Sequence, residues 1–116
     1  MSVVYDPPTE ASAAASRGLA LHARGRGGKS LRDATVGVAR RMAEGGAFDI
    51  EEVATIWAWF RRFAVNKAFR RSMARDAESP AAVAWLLHGG DTAFAWAAGV
   101  LVRDGFTRER PRRRGR

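Results

Sequence analysis

Apolar residues recur along this chain at spacings of three and four, and no stretch shows the sustained alternation of β-branched residues that marks a strand. That pattern predicts an all-α fold, a compact bundle of five or six short helices. Residues 1–8, closing on Pro7-Pro8, read as a flexible, extended N-terminal arm. Thr9 is then the N-cap of a first helix that carries Ala13, Ala14, Leu19 and Leu21 and ends near Gly25. Gly18 lies inside it and is expected to weaken it by up to about 1 kcal/mol relative to alanine. After Gly25-Arg26-Gly27-Gly28, Ser30 with Asp33 three residues on forms a capping arrangement for a second helix running to about Glu44, where Gly45-Gly46 stops it.

The best start signal comes next. Asp49 followed by Glu51 and Glu52 supplies an N-cap and two carboxylates in a first turn, each favoured by roughly 0.3 to 1 kcal/mol in the field of the helix dipole. Val53, Ile56, Trp57, Phe60, Phe63 and Ala64 fall on one face of that third helix. Continued at about 100° per residue, the same helix would carry Lys67 into the middle of its apolar face, so a break is expected at Asn66-Lys67. Beyond it Phe69, Met73 and Ala77 share one face, while Lys67, Arg71 and Arg75 run at i, i+4 and i+8 along the opposite one with Arg70 between. Ser79-Pro80 is an N-cap and N1 pair that opens a short helix through Val83, Trp85, Leu86 and Leu87, apolar on all sides. Asp91 opens the last helix, with Phe94, Ala98 and Leu101 on one face and Trp96 and Val100 on the other, and these two helices form the expected core hairpin. Residues 9–105 thus read as a single helical domain. Residues 106–116, with Phe106 their one aromatic, form a basic tail with too little apolar surface to offset ordering entropy.

Composition narrows the chemistry. At 116 residues and 12.7 kDa the chain has room for one small domain, and its 47% hydrophobic content is enough for a core. It has no cysteine, which excludes disulfides, thiolate metal sites and a thiol nucleophile, and its two histidines, His22 and His88, are too far apart in sequence to make a zinc site alone. No cofactor is expected. The N-terminus lacks the basic and apolar regions of a secretory signal, so a cytoplasmic location is the default. The segment from Ser79 to Val102 carries only Asp91 as a charge, but its Gly89-Gly90-Asp91 centre divides it into two helices rather than a membrane span.

Charge is the outlying property. The formal net charge is +8, yet seven basic and seven acidic residues cancel through Phe60. From Arg61 onward thirteen Lys or Arg face five acids, so the whole excess lies in the second half. It falls into the run Arg61, Arg62, Lys67, Arg70, Arg71 and Arg75, and the tail arginines Arg108, Arg110, Arg112, Arg113, Arg114 and Arg116. A single-signed run forgoes the i,i+4 Glu/Lys pairing of a merely solvated helix, and the asymmetry points to a polyanion partner.

Other motifs weigh less. Gly28-Lys29-Ser30 resembles the end of a phosphate loop, but that spacing requires glycine where Ala23 stands, and no strand precedes it. Arg26 and Lys29 with the loop's backbone N–H groups can still meet a phosphate of a larger polymer; a plain interhelical loop is the alternative. The adjacent Glu51 and Glu52 point about 100° apart, which suits a helix start better than an acid/base pair. The serines lack nucleophile-elbow glycines, so no enzyme activity is expected. Trp57, Trp85 and Trp96 sit in apolar contexts and read as core. Trp59 lies about 100° off the centre of its helix's apolar face, where it can cap the core edge, meet a partner subunit or stack on a base.

One stretch resembles a known family. Val83-Ala84-Trp85-Leu86-Leu87-His88-Gly89-Gly90-Asp91, followed by Trp96-Ala97, is similar to a small helical domain of tailed-bacteriophage head-morphogenesis proteins, often appended to prohead-protease or portal-associated chains. The similarity extends back through Trp59-Phe60, Val65-Asn66-Lys67, Val36-Gly37-Val38-Ala39-Arg40, the Gly25-Arg26-Gly27-Gly28 loop and Gly18-Leu19, covering roughly residues 17–97. It implies a phage or prophage setting, in the host cytoplasm or the virion, and brings no catalytic residue with it.

Two readings follow. In the first, a non-enzymatic accessory protein binds nucleic acid, DNA in the first instance, through phosphate contacts from the Arg61–Arg75 run, Arg26, Lys29 and the tail arginines, with little sequence preference. In the second, a virion or scaffold module uses Trp59, the arm and the tail to dock on an acidic protein surface, a phage structural protein or a second copy of the chain.

Overall fold

The computed structural model describes residues 3–28 and 31–105. Six α-helices follow one another: α1 (Thr9–Ala23), α2 (Asp33–Ala43), α3 (Ile50–Ala64), α4 (Lys67–Arg75), α5 (Pro80–Leu87) and α6 (Gly90–Val100). A π-helical turn, Leu101–Gly105, continues α6. The all-α expectation holds; among the described residues the one extended pairing is a single bridge between Tyr5 and Phe48.

Three helices begin where their caps dictate. Asp49 accepts a hydrogen bond from the Glu52 N–H at 2.8 Å, while the Asp49 N–H donates to Glu52 Oε1 at 2.9 Å, so α3 opens on a reciprocal capping box. Asn66 Oδ1 accepts from the Phe69 N–H at 2.9 Å at the start of α4, and Ser79 Oγ from the Ala82 N–H at 3.1 Å at the start of α5. The first two helices differ from expectation. Pro8 and Arg32 occupy the N-cap positions and no side chain of the described residues caps either helix, so Thr9 and Asp33 are the first residues of α1 and α2. Ser30 lies outside the described residues.

The corner between α5 and α6 explains the Trp-x-x-x-Gly-Gly-Asp element, but the two helices are not the expected core hairpin: α5 packs chiefly on α1, with Val83 and Leu87 in a smaller core, while Ala93, Ala97 and Val100 of α6 lie in a larger one. Gly89 and Gly90 adopt φ of 105° and 70°, and a Cβ on Gly89 would stand 2.4 Å from the Ala93 Cβ, so only glycine makes this corner. Trp85 Nε1 donates to Asp91 Oδ1 at 2.7 Å and clasps the two helices across it. The turn begins α6 at Gly90, one residue before the expected start. No helix among the described residues is long and apolar enough to cross a membrane.

Residues 3–8 of the arm are extended, as expected, but they are fastened. Tyr5 and Phe48 exchange backbone hydrogen bonds at 2.8 and 3.0 Å, the Tyr5 hydroxyl donates to Asp104 Oδ2 at 2.6 Å, and Pro7 is buried. These partners lie far along the chain, where no local signal links them to residue 5.

Two cores result. The larger joins Met42, Phe48, Val53, Ile56 and Phe60 to Ala93, Ala97, Val100 and Leu101, with Ala11 and Ala15 of α1. The smaller holds Ala39, Val83 and Leu87, flanked by Leu19, Leu21 and Leu31. Each large side chain removed from water contributes about 1.5 to 3 kcal/mol. The buried face of α1 consists of Ala11, Ala14, Ala15 and Gly18, small residues that let it approach α2 and α5 closely.

Candidate functional site

The break at the α3–α4 corner sets the geometry of the cationic residues. α3 stops at Ala64, Val65 is its C-cap, and Asn66 restarts the chain as α4, which keeps Lys67 off the apolar face. Phe69 and Met73 are half-buried on the side of α4 that meets α3 and α5. Lys67, Arg70, Arg71 and Arg75 are all exposed on the other side. Arg61 and Arg62, also exposed, leave the last turn of α3 about 100° apart. The Arg61 guanidinium lies over the Trp57 ring at 5.2 Å and that of Arg62 over Phe63 at 5.8 Å, both within cation–π range.

None of these six cations forms an ion pair among the described residues. Of the other described basic residues, Arg17, Arg32, Arg40 and Arg103 likewise form no ion pair, whereas Arg24, Arg26 and Arg41 do. Arg26 pairs with Glu78 at 3.2 Å, and Arg24 approaches the same carboxylate at 3.8 Å, so the glycine loop is bridged to the turn before α5. Arg41 pairs with Glu52 at 2.6 Å, also donates to the Ala47 carbonyl, and lies 4.5 Å over the Phe48 ring. Hydrogen bonds from Arg41 and from the Asp49 N–H hold the Glu52 carboxyl down at about 2, and the same pairing raises Arg41. Lys29 and the arginines of residues 106–116 lie outside the described residues.

Trp59 takes a place at the core edge. Its ring stacks on His88 at 3.7 Å with an interplanar angle of 13° and meets Phe63 at 4.9 Å and Phe69 and Trp85 at 5.9 Å. His88 Nδ1 lies 2.8 Å from the Ala84 carbonyl, which places a proton on that nitrogen. Burial pushes the His88 pKa down to about 4, so the ring is neutral at pH 7.

Beside this stack opens a cleft of about 640 Å³, bounded by the α1–α2 loop, the beginning of α2, the α3–α4 corner and the first turns of α5. Trp59, Phe63 and Phe69 supply aromatic surface, Thr35, Asn66 and Ser72 polar atoms, and Arg32 and Arg62 charge; among the described residues no carboxylate lines it. Sequence reasoning marked Arg62, Trp59 and the Asn66 corner but not Arg32, Thr35 or Ser72, which come from separate helices or their flanks and share no spacing. Among the described residues no three His, Asp or Glu side chains converge to hold a metal. No family model, no curated protein and no solved structure matches the chain.

Proposed function

We propose that this chain is a non-enzymatic nucleic-acid-binding protein, with DNA its first candidate, that grips phosphates through Arg61, Arg62, Lys67, Arg70, Arg71 and Arg75. The observation that carries the reading is the row of exposed cations on α4, continued by the end of α3, which form no ion pair among the described residues. This arrangement works against helix stability. Lys67/Arg71 and Arg71/Arg75 are like-charged i,i+4 pairs, each unfavourable by about 0.2 to 0.5 kcal/mol. Lys67 opposes the dipole at the first turn, which holds no acid, by roughly another 0.3 to 1 kcal/mol. A helix that needed only solubility would mix the two signs. Phosphates supply the missing counter-charge, and contacts of this kind position a protein without reading sequence. Lys29 and the tail arginines extend the same charge in the sequence, whereas Arg26, shared with Glu78, contributes less. The phage or prophage setting rests on the resemblance around the Gly-Gly-Asp element.

The test is fluorescence anisotropy with a labelled duplex over a salt series, on the full chain and on the same chain ending at Gly105. Neutralising about six phosphates gives a slope of log affinity on log salt of roughly −5. The shortened chain keeps salt-dependent binding with a shallower slope, and Arg71→Glu weakens both. Salt-insensitive binding, or a stable oligomer that retains no DNA, overturns this reading and favours a virion or scaffold module.

A further inference from the structure

The cleft beside Trp59 shares Arg62 with the cationic surface and so lies directly next to the phosphate path proposed above. We infer that it receives one unpaired nucleobase, so that the protein prefers single-stranded nucleic acid to duplex. The inference rests on the nucleic-acid reading and narrows its substrate. Three observations lead to it. The cleft's volume of about 640 Å³ lies within the roughly 300 to 1,000 Å³ of small-molecule pockets, room for a nucleotide but not for a duplex. Its aromatic surface offers the flat apolar contact on which bases stack, and a base inside a duplex, covered on both faces by its neighbours, cannot reach it. Among the described residues its charge is all of one sign: Arg32 and Arg62 approach from different elements and no carboxylate of those residues accompanies them.

The polar atoms suit the same occupant. Asn66 Oδ1 is used by the Phe69 N–H, which leaves the amide N–H groups of Asn66 to donate to a base edge, and the Thr35 and Ser72 hydroxyls can donate or accept. A ligand with a flat apolar body, hydrogen-bonding edges and an attached anion meets all of these features, and a nucleotide within a strand is such a ligand. Its flanking phosphates then meet Arg62, the residue the cleft shares with the cationic surface, and Arg32.

The experiment compares a labelled oligothymidylate with a duplex of equal length at one salt concentration. The single strand is expected to bind roughly tenfold more tightly, the scale of one base on an aromatic side chain. Ala68→Leu narrows the cleft at an exposed position of α4, and Thr35→Leu does so from α2, each without altering charge. Either variant, folded by circular dichroism, should lose the preference and keep duplex affinity and its salt slope. Equal affinity for both forms, with Arg71→Glu weakening both, overturns the cleft assignment and leaves the phosphate reading standing. Failure to bind either form overturns both. Displacement of the oligonucleotide by oligoglutamate of equal charge at equal concentration, in the native chain but not in the cleft variants, assigns the cleft to acidic peptides and overturns it as a base site.

Discussion

Gly18 and Gly37 are both helix-interior glycines, and replacing each by alanine should move stability in opposite directions. By propensity alone either change stabilises by about 1 kcal/mol, because alanine loses less backbone freedom on folding. Gly37 is exposed in α2 and a Cβ there would meet nothing within 4 Å, so Gly37→Ala should deliver that gain in full. Gly18 is buried where α1 crosses α5. A Cβ there would stand 2.9 Å from the Leu87 backbone nitrogen and 3.1 Å from the Leu86 carbonyl carbon and Cβ. Two of those three atoms are backbone and cannot rotate aside, so the helices must separate by a few tenths of an ångström. Overpacking of this kind costs about 1 to 3 kcal/mol, which leaves Gly18→Ala about 1 kcal/mol less stable than the native chain after the propensity gain. The two identical substitutions should therefore differ by about 2 kcal/mol. Urea titrations of the three proteins measure this directly, with midpoints moving in opposite directions at constant slope. If Gly18→Ala raises the midpoint as far as Gly37→Ala does, the α1–α5 contact is soft and the packing account is wrong.

Two pH dependences follow from the ionisable groups. His88 has a folded pKa of about 4 against 6.5 in the unfolded chain, so between these values the unfolded state binds the extra proton. Stability should fall by up to about 3 kcal/mol as pH drops from 6.5 to 4, and urea titrations of His88→Gln across that range should lack this component; parallel profiles would refute the buried-neutral ring. Glu52 shifts the other way, from 4.5 to about 2, so its contribution is complete above pH 4.5 and disappears as pH falls through the folded value. Its side chain is 40% exposed, and solvent screening reduces the effect to about 1 kcal/mol. Glu52→Gln should lower stability by that amount at pH 7, with the gap closing below pH 4.5; a gap unchanged at pH 3 would show that charge is not its source.

The parts of this fold that were legible in sequence are those decided within one or two turns. Asp49 with Glu52, and Ser79 with Pro80, announce helix starts because a cap and its N–H partner lie within three residues of each other. The readings that failed or went unmade depend on distant elements. Gly18 registers in sequence as a weak point in α1, and only the backbone of α5 shows it to be a point of close approach. The stack of Trp59 on His88 needs α5 beside α3, and the arm's fastening needs Phe48 and Asp104. The cleft was invisible for the same reason, since Arg32 and Thr35 reach it from one side and Asn66 and Ser72 from the other.

Lys67 stands between these two kinds of information. Its charge would sit in the apolar face of an uninterrupted α3, and the cost of burying an unpaired ammonium far exceeds that of interrupting a helix whose next turn Asn66 can cap. The chain turns there, and α4 lies with Phe69 and Met73 toward α3 and α5. That orientation turns Arg70, Arg71 and Arg75 outward with Lys67, and the corner between the two helices borders the cleft that Arg62, Ser72 and Phe69 help to line. The residue that forbids a continuous helix is thus also the first in the exposed cationic row, so burial and surface charge are set by one local choice. An apolar residue at 67 would relax both constraints at once, allowing α3 to extend and drawing the following arginines out of their common face.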